Sequence, residues 1–332
     1  MNALLATRGL TVQFASRRGL VTAVDGLDLD VAAGGTLALV GESGCGKSAT
    51  ALALLGLHAA PPDALVTGSV MLDGTELVGL GARGWRGVRG RRIAMVFQEP
   101  MTALNPVFSI GDQITEALQA HEPLGRAEAR RRAKALLDEV AIPDAGRRLD
   151  DYPHQLSGGQ RQRALIAIAI AARPAVLIAD EPTTALDVTI QAQILELLKR
   201  LKDERGMALV LITHDLGVVA DMADRVAVLY AGRKVEEADT RQLFRAPAHP
   251  YTRSLLATRA RPGKVAGRRA RLAEIAGTVP PLHELPEGCA FAPRCPDTID
   301  ACRRTRPPLA DAGAGHVAAC IRIPEAATGG AR

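Results

Sequence analysis

Two features are scarce in this sequence of 332 residues, namely aromatic side chains and long apolar runs. Aromatic residues make up 3% of the chain, whereas hydrophobic residues make up 47%. The hydrophobic content is therefore mostly Ala, Val, Leu and Ile, which is typical of buried parallel strands flanked by Ala-rich helices. This content also excludes a disordered chain and is enough for the cores of about two domains.

The chain also lacks a segment that could enter a membrane. Its longest apolar run, 164–172, is about half of the roughly 20 residues that a membrane-spanning helix needs. Residues 1–10 do not show a basic stretch followed by a long apolar one, as a signal peptide would. We therefore expect a cytoplasmic protein whose contact with a membrane is peripheral.

The net charge of +5 is unevenly distributed. Residues 241–332 hold 15 Lys and Arg against 7 Asp and Glu, whereas residues 1–240 hold 26 against 29. A basic tail of this kind could meet anionic lipid headgroups or nucleic acid, but an Arg-rich solvated surface explains it equally well. The charge therefore decides nothing about partners.

Short β-type runs recur along the chain, with helical patterns between several of them. They cover 36–40, 93–97, 176–179, 208–212 and 226–230. This alternation predicts an α/β fold with a largely parallel sheet and a ligand at the carboxyl ends of its strands. Residues 10–31 alternate instead with period two, Leu27 and Leu29 against Asp28 and Asp30, which predicts an antiparallel β edge.

Two further regions differ in composition from these runs. Residues 102–160 contain the helical patterns 110–119 and 126–140 and no convincing strand, so we predict an inserted helical subdomain. Beyond about residue 250 the chain is rich in Pro, Arg and Ala and contains four of the five cysteines. We therefore divide the chain into a large N-terminal domain, 1–250, and a small C-terminal cysteine-rich extension, 251–332.

Residues 41–48 match the phosphate-loop pattern GxxxxGK[ST], between a strand and a helix-like segment, 49–57. The glycines let successive amides converge on the β-phosphate, Lys47 adds a charge at the β- and γ-phosphates, and the Ser48 hydroxyl is placed to bind Mg²⁺. The predicted nucleotide-contacting residues here are Gly41, Ser43, Gly44, Cys45, Gly46, Lys47, Ser48 and Ala49.

The apolar run 176–179 is followed by two carboxylates, Asp180 and Glu181. A carboxylate at the strand end can hold Mg²⁺, and one residue further on it can point at a water in line with the γ-phosphate. We therefore predict that Asp180 contributes to the metal site and that Glu181 is catalytic.

Ser157, Gly158, Gly159 and Gln160 belong to the motif LSGGQ, which precedes the helical run 162–172. Ser157 can cap that helix, and the two glycines expose amides at its N-terminus, which makes a second anion site. With LSGGQ shortly before the acidic strand, the chain resembles the ATP-binding-cassette (ABC) ATPases, whose signature this motif is.

The resemblance to ABC ATPases implies further site residues. Phe14 is similar to the aromatic residue that stacks on adenine, and Gln98 to the Q-loop glutamine that contacts Mg²⁺ and water. Asp187, in the segment Ala-Leu-Asp, resembles the D-loop aspartate, and His214 the switch histidine at the γ-phosphate. Members of this family work as head-to-tail pairs, so this chain would need a second cassette, identical or related.

Residues 97–106, FQEPMTALNP, resemble the dipeptide and oligopeptide permease branch of the family, as does the C-terminal stretch 288–296, GCAFAPRCP. Ala103 departs from this pattern, since Ser is commoner there. The resemblance implies the first ATPase of a peptide importer, with two membrane permease subunits and an extracytoplasmic peptide-binding protein as partners. Nickel or glutathione remains open as cargo.

Two other classes of protein are open at this point. A soluble ABC ATPase acting on nucleic acid or ribosomes would explain the basic tail, but the two cassettes or long coiled-coil insertions of such proteins are not seen. A P-loop kinase has no use for LSGGQ. We therefore expect an ATPase of an importer, with no nucleic-acid partner.

Four cysteines lie in the C-terminal extension: Cys289, Cys295, Cys302 and Cys320. Four thiolates are the number that a [4Fe-4S] cluster needs, although the spacing is not that of ferredoxins. Zinc is the alternative, but it usually takes closely spaced cysteine pairs. The resemblance to peptide-importer ATPases favours the iron–sulfur cluster. Cys45 is excluded, because it lies in the phosphate loop.

Overall fold

The computed structural model describes residues 3–17, 19–184, 186–258, 275–313 and 315–323. The strands are β1 (Leu5–Ser16), β2 (Gly19–Val31), β3 (Thr36–Val40), β4 (Ala64–Leu72), β5 (Thr75–Glu76), β6 (Ile93–Val96), β7 (Val176–Asp180), β8 (Ala208–Ile212), β9 (Arg225–Tyr230), β10 (Arg233–Asp239), β11 (Ala310–Gly313) and β12 (His316–Ala318).

The helices include short ones of a single turn. They are α1 (Lys47–Leu54), α2 (Ala82–Val88), α3 (Pro100–Ala103), α4 (Ile110–Gln119), α5 (Arg126–Glu139), α6 (Ala145–Arg148), α7 (Gly158–Ile170), α8 (Val188–Arg205), α9 (Leu216–Met222), α10 (Thr240–Arg245), α11 (Pro250–Ala257) and α12 (Asp300–Arg304), with 3₁₀ turns at Pro153–Gln155 and Ala292–Arg294.

Eight strands form the central sheet, in the order β11-β12-β10-β9-β3-β8-β7-β6. The five from β9 to β6 are parallel, and every residue of β3, β7 and β8 is buried. Continuous runs of Leu, Val, Ile and Ala fit this position, since helices cover both faces of a parallel sheet. The predicted α/β fold is confirmed. All five predicted strands are present, although β6 ends at Val96, one residue earlier than predicted.

The antiparallel sheet has the order β2-β1-β4-β5. In β2 the side chains of Leu27, Leu29 and Val31 are buried, whereas Asp28 and Asp30 are exposed, as their alternation predicted. The prediction began too late in the chain, because β1 starts at Leu5. It also missed β4, which pairs with β1 along the other edge.

Helices α3 to α7 lie between β6 and β7 and contain the predicted helical patterns. Helix α4 has the predicted bounds, and Ser109 caps it by accepting a hydrogen bond from the Asp112 amide. Its buried residues Ile110, Ile114 and Leu118 recur every four positions, so one face of the helix packs into the core. Helix α7 begins at Gly158, four residues before the predicted start.

Described residues of the C-terminal extension pack against the central sheet. Strand β12 pairs with β10, and Phe291 shares a buried cluster with Tyr230 of β9 and Tyr251 of α11. The ring centroids of Phe291 and these two tyrosines are 5.3 and 5.4 Å apart. The extension is therefore attached through both backbone pairing and an aromatic core, while the division of the chain at residue 250 stays a prediction.

Candidate ATP site

The phosphate loop connects the buried strand β3 to the first turn of α1. Gly46 has a φ of 100°, and a Cβ added there would lie 2.5 Å from the carbonyl oxygen of Ala23, so only glycine fits. The Nζ of Lys47 donates to the carbonyl oxygens of Gly41 and Glu42, at 2.8 and 3.1 Å. The lysine is thus held against the loop, with 6% of its surface exposed.

The remaining loop residues differ in the direction of their side chains. Ser43, Gly44 and Ser48 are exposed, and Ala49 is half-buried. Cys45 is buried, with its Sγ 3.7 Å from the Nζ of Lys47, and burial raises the pKa of its thiol. Cys45 can therefore contribute only its backbone to a bound phosphate.

Asp180 ends strand β7 with 4% of its surface exposed. Its Oδ1 has no hydrogen-bond partner among the described residues, and Ser48 of the phosphate loop hydrogen-bonds to the carboxylate. Burial raises the pKa of Asp180. A buried, incompletely bonded carboxylate beside a hydroxyl is the oxygen donor set that Mg²⁺ prefers, so the residues present fit this ion.

Glu181 lies at the centre of a hydrogen-bonded group. The Nε2 of Gln98 donates to its Oε2 at 2.9 Å, and the Oγ1 of Thr184 donates to the same atom at 2.9 Å. The Nδ1 of His214 lies 3.3 Å from its Oε1. The structure therefore brings together Gln98, Glu181 and His214, which the sequence predicts to be catalytic.

The charge and backbone of Glu181 suit a group that acts on water. Burial raises its pKa, but the hydrogen bonds from Thr184 and His214 outweigh this effect, so that the net pKa is lowered and the group is ionised at neutral pH. Its φ is 45°, a left-handed conformation that is uncommon outside glycine and is found at functional sites.

The signature residues form the N-terminus of α7. The Oγ of Ser157 accepts from the amide of Gln160 at 3.3 Å, and the Oε1 of Gln160 accepts from the amide of Ser157 at 3.0 Å. A Cβ on Gly159 would lie 2.7 Å from the Cγ2 of Ile190 in α8, so glycine permits the close approach of the two helices. Ser157 and Gly158 are exposed. The amides at this helix end thus face outward.

Two other predicted residues occupy defined positions. Asp187 caps α8 by accepting from the amide of Ile190 at 3.0 Å, which gives it a structural role; the neighbouring Ala185 lies outside the described residues. Phe14, in β1, is half-buried and makes an edge contact with His58 at 5.3 Å between ring centroids. Part of its ring therefore remains available for stacking.

Sequence reasoning missed the residues that contact Glu181 and the phosphate loop without belonging to a motif. Thr184 follows Glu181 by three positions and could have been suspected from that spacing. Arg294 forms a bidentate ion pair with Glu42, and Tyr251 accepts a hydrogen bond from the Glu42 amide at 2.9 Å. These two residues are more than 200 positions away in the chain, and no sequence pattern pointed to them.

An apolar groove adjoins the Gln98 loop, between β6 and the helices. It encloses a cavity of about 230 Å³ lined by residues that include Met95, Phe97, Ala117 and Ile168. Further along the same loop region, side chains with large exposed fractions follow one another: Phe97 39%, Met101 56%, Val107 72% and Phe108 49%. Such a patch of exposed apolar side chains beside Gln98 is typical of an interaction surface.

The four C-terminal cysteines line one cavity, together with residues such as His249 and Phe291. Burial raises the pKa of the thiols of Cys289, Cys295 and Cys320. The cavity measures about 20 Å³, which is room for about one water. Among the described residues, no group of three or more His, Cys, Asp and Glu could hold a metal ion. The described residues therefore show no preformed site for the predicted cluster or for zinc.

Within the described ranges, no helix is long and apolar enough to cross a membrane.

Comparison with known proteins places this fold and this site in a known class. The model of the ABC transporter family matches residues 24–184, and the model of the oligopeptide/dipeptide transporter C-terminal region matches residues 235–302. Among solved structures, a dimeric ATP-binding cassette in a post-hydrolysis state, bound to ADP and Pi, is similar with a TM-score of 0.64 and 28% identity, over 71% of this chain and 99% of that one. The fold is thus that of an ABC-type ATPase.

Curated relatives narrow the class. A probable peptide ABC transporter ATP-binding protein of Sinorhizobium fredii is 51% identical over 97% of this chain and 96% of its own length. The oligopeptide transport ATP-binding protein AppD of Bacillus subtilis is 46% identical over 98% of both chains. The chain therefore belongs to the family of ATP-binding proteins of peptide ABC transporters.

Proposed function

We propose that this chain binds and hydrolyses Mg·ATP at the residues described above and couples hydrolysis to the uptake of di- or oligopeptides. One observation carries the proposal: the predicted site residues lie at or beyond the carboxyl ends of four parallel strands of one sheet. They are Lys47 after β3, Gln98 after β6, Asp180 and Glu181 at the end of β7, and His214 after β8. The carboxyl ends of parallel strands are where nucleotides bind in such folds.

Each residue has a distinct task in hydrolysis. The amides of the phosphate loop and the charge of Lys47 bind the β- and γ-phosphates, while Ser48 and Asp180 hold Mg²⁺. Glu181 orients the attacking water and accepts its proton, a task that its lowered pKa permits at neutral pH. Gln98 and His214 hold the Glu181 carboxylate, and they would also contact Mg²⁺ and the γ-phosphate, respectively, when both are bound. Phe14 stacks on adenine.

A second cassette completes the site. The amides of Gly158 and Gly159, which the capping box does not use, and the exposed Ser157 form an anion site at a helix N-terminus, which supports their binding the phosphates of ATP held by a partner cassette. Asp187 caps the N-terminus of α8, next to the exposed Val188, and its neighbour Leu186 lies close to Gly158. A similar cassette of known structure is a dimer.

The head-to-tail arrangement is tested with Ser157→Arg in the Glu181→Gln background, because a bulky cation would fill the anion site without touching the phosphate loop of its own chain. We expect ATP binding to persist while the ATP-dependent dimer is lost on size exclusion. A dimer that forms as readily as without the arginine would contradict the role of the signature.

The membrane partner binds at the apolar groove beside Gln98. A helix of a permease subunit in that groove would contact Phe97, the neighbour of Gln98, and it would move with the same loop that contacts Glu181. We propose that two permease subunits bind in this way, that the chain is peripheral at the cytoplasmic face of the inner membrane, and that an extracytoplasmic protein delivers the peptide.

The experiment is co-expression of the chain with its permease subunits, purification in detergent and measurement of ATP hydrolysis with and without the peptide-loaded binding protein. Stimulation by peptide, but not by nickel or glutathione, supports the proposed cargo. A chain that purifies free of membrane subunits and is stimulated by nucleic acid or ribosomes would instead support the soluble class, which the matching oligopeptide-transporter region disfavours.

A [4Fe-4S] cluster at the four C-terminal cysteines is part of this proposal. Its support is the convergence of four thiols from separate segments on one cavity; binding would require that cavity to widen. The cluster would supply a structural cross-link for a small extension. Anaerobic purification followed by visible absorption and iron, sulfide and zinc analysis tests it. A colourless protein with zinc indicates the other metal, and one without either indicates free thiols.

A further inference from the structure

The strongest contact between the C-terminal extension and the ATP site is made by Arg294, in the 3₁₀ turn next to Cys295. Its Nη1 donates to the Oε2 of Glu42 at 2.6 Å, and its Nη2 donates to the Oε1 at 3.0 Å. The guanidinium also donates to the hydroxyl of Tyr230 and to the carbonyl oxygens of Ile275 and Ala276. Only 4% of its side chain is exposed, so this geometry is fixed by its surroundings.

The pair is strongly charge-assisted. The hydrogen bonds to Glu42 are the main reason that the pKa of Arg294 is raised above its ordinary value, although burial opposes them. A bidentate arginine–carboxylate pair defines both the distance and the orientation of its partner, which a lysine cannot do. Arg294 therefore fixes the position of the Glu42 carboxylate.

Glu42 is the residue after the first glycine of the phosphate loop. Its carbonyl oxygen accepts from the Nζ of Lys47 at 3.1 Å, and its amide donates to Tyr251 at 2.9 Å. The residue that Arg294 holds by its side chain is thus the one that contacts the phosphate-binding lysine through its backbone. A displacement of Glu42 would be transmitted to Lys47.

Attachment of the extension does not depend on Arg294. Strand β12 pairs with β10, the Nε2 of His316 donates to the buried Glu236 at 2.6 Å, and Phe291 packs between Tyr230 and Tyr251. Loss of the guanidinium would leave these three contacts in place. A role of Arg294 in ATP binding can therefore be separated from a role in docking the extension.

We propose that Arg294 is a positioning residue for the phosphate loop, so that the C-terminal extension sets the affinity of the chain for ATP through Glu42. This proposal rests on the proposed nucleotide site. It adds to that site a residue from outside the ATP-binding motifs.

The test measures the dissociation constant of Mg·ATP for the full chain by competition with a fluorescent ATP analogue. We expect Arg294→Met to raise it about tenfold, equivalent to about 1.4 kcal/mol. Arg294→Lys keeps the charge but not the bidentate geometry and should restore part of the affinity. Glu42→Gln should match Arg294→Met, and the double variant should be no weaker than either single variant, because both remove one interaction.

Two reference variants make the outcome interpretable. Arg253→Met removes an exposed ion pair with Asp297, on the extension but away from the loop, and should leave the affinity unchanged. Lys47→Ala should lose most ATP binding; if it does not, the proposed site fails, whatever Arg294 does. If Lys47→Ala behaves as expected, two results would overturn the proposal. One is a folded Arg294→Met variant that binds ATP normally, and the other is additive effects in the double variant.

If Arg294→Met does not fold, Glu42→Gln tests the same contact from the side of the loop, where the glutamate side chain is 27% exposed. An unchanged dissociation constant in that variant overturns the proposal, and a tenfold increase that Arg253→Met does not share supports it.

Discussion

Two histidine–glutamate pairs lie in different regions of this molecule. In the ATP site, His214 lies 3.3 Å from Glu181, and 69% of the histidine side chain is exposed. Beneath the C-terminal extension, His316 lies 2.6 Å from Glu236, and the two side chains are 2% and 0% exposed. The same two residue types thus form a loose pair that solvent reaches and a tight pair that solvent does not. The two pairs therefore differ most in their burial, which suits the first to the proposed chemistry and the second to attachment of the extension.

The two pairs also differ in the groups that their glutamates contact. Glu236 also accepts from the amides of Ala248 and His249, so its carboxylate joins three segments of chain. Glu181 is instead held by the side chains of Gln98, Thr184 and His214, which follow the carboxyl ends of β6, β7 and β8. We therefore expect substitutions in the first pair to change activity and substitutions in the second pair to change stability.

Glu181→Gln is expected to have the largest effect. It keeps the size of the side chain but removes the proton acceptor, so ATP turnover in the assembled complex should fall about a thousandfold while ATP binding persists. The unfolding midpoint should stay unchanged. Turnover above about a tenth of the original rate would show that Glu181 is not the catalytic base.

The next largest effect is expected in the pH dependence of stability, which the buried region beneath the C-terminal extension should dominate. His249 caps α11, contacts Phe291 and is 1% exposed; burial, with a contribution from the Arg253 charge, lowers its pKa to about 4. The unfolded chain binds this proton below about pH 6.5, whereas the folded chain does so only below about 4. The contribution of His249 to stability is therefore complete above pH 6.5 and falls by about 3 kcal/mol as the pH drops to 4.

Urea unfolding of the full chain between pH 7 and 4 measures this effect. His249→Asn, which keeps a capping side chain but cannot titrate, should lose less stability over this interval than the natural chain. His154→Asn, at an exposed histidine, is the matched control and should behave as the natural chain does. Equal pH dependence in all three would contradict a buried, neutral His249.

The smallest expected effect comes from one substitution made in both pairs. His316→Leu leaves Glu236 buried with one hydrogen bond fewer, so the free energy of unfolding should fall by about 2 kcal/mol with little change in ATP affinity. His214→Leu should leave that free energy unchanged and reduce ATP turnover. If His316→Leu impaired turnover without loss of stability, the division of roles between the two pairs would be wrong.

The motifs of the candidate ATP site are visible in the sequence because each of them is local. The phosphate loop, the acidic pair and the signature each consist of a few consecutive residues. Apolar runs predicted the neighbouring strands. What could not be predicted depends on residues far apart. The pairing of β12 with β10 and the contact of Arg294 with Glu42 join segments about 80 and 250 positions apart. Neither periodicity nor motif reports such contacts.

The cysteines illustrate the same limit. Their number and chemistry are visible in the sequence and led to the prediction of a cluster, but the volume between the thiols depends on how four segments pack. Helix starts were also misplaced for a physical reason. Helix α1 begins with Lys47 and Ser48 and helix α7 with Gly158 and Gly159, all from binding motifs, so the recognisable helical pattern begins two residues later in α1 and four residues later in α7.

The pairing of β12 with β10 has a consequence for synthesis of the chain. When β10 leaves the ribosome, its outer edge has free backbone amides and carbonyls, and about 80 further residues must follow before β12 can cover them. An uncovered strand edge is a template for pairing with other chains. Strand β12 therefore pairs late in synthesis, and its pairing removes an edge of β10 that would be prone to aggregation. A gene shortened after residue 250 should for this reason yield an insoluble cassette, although every ATP-binding motif is retained.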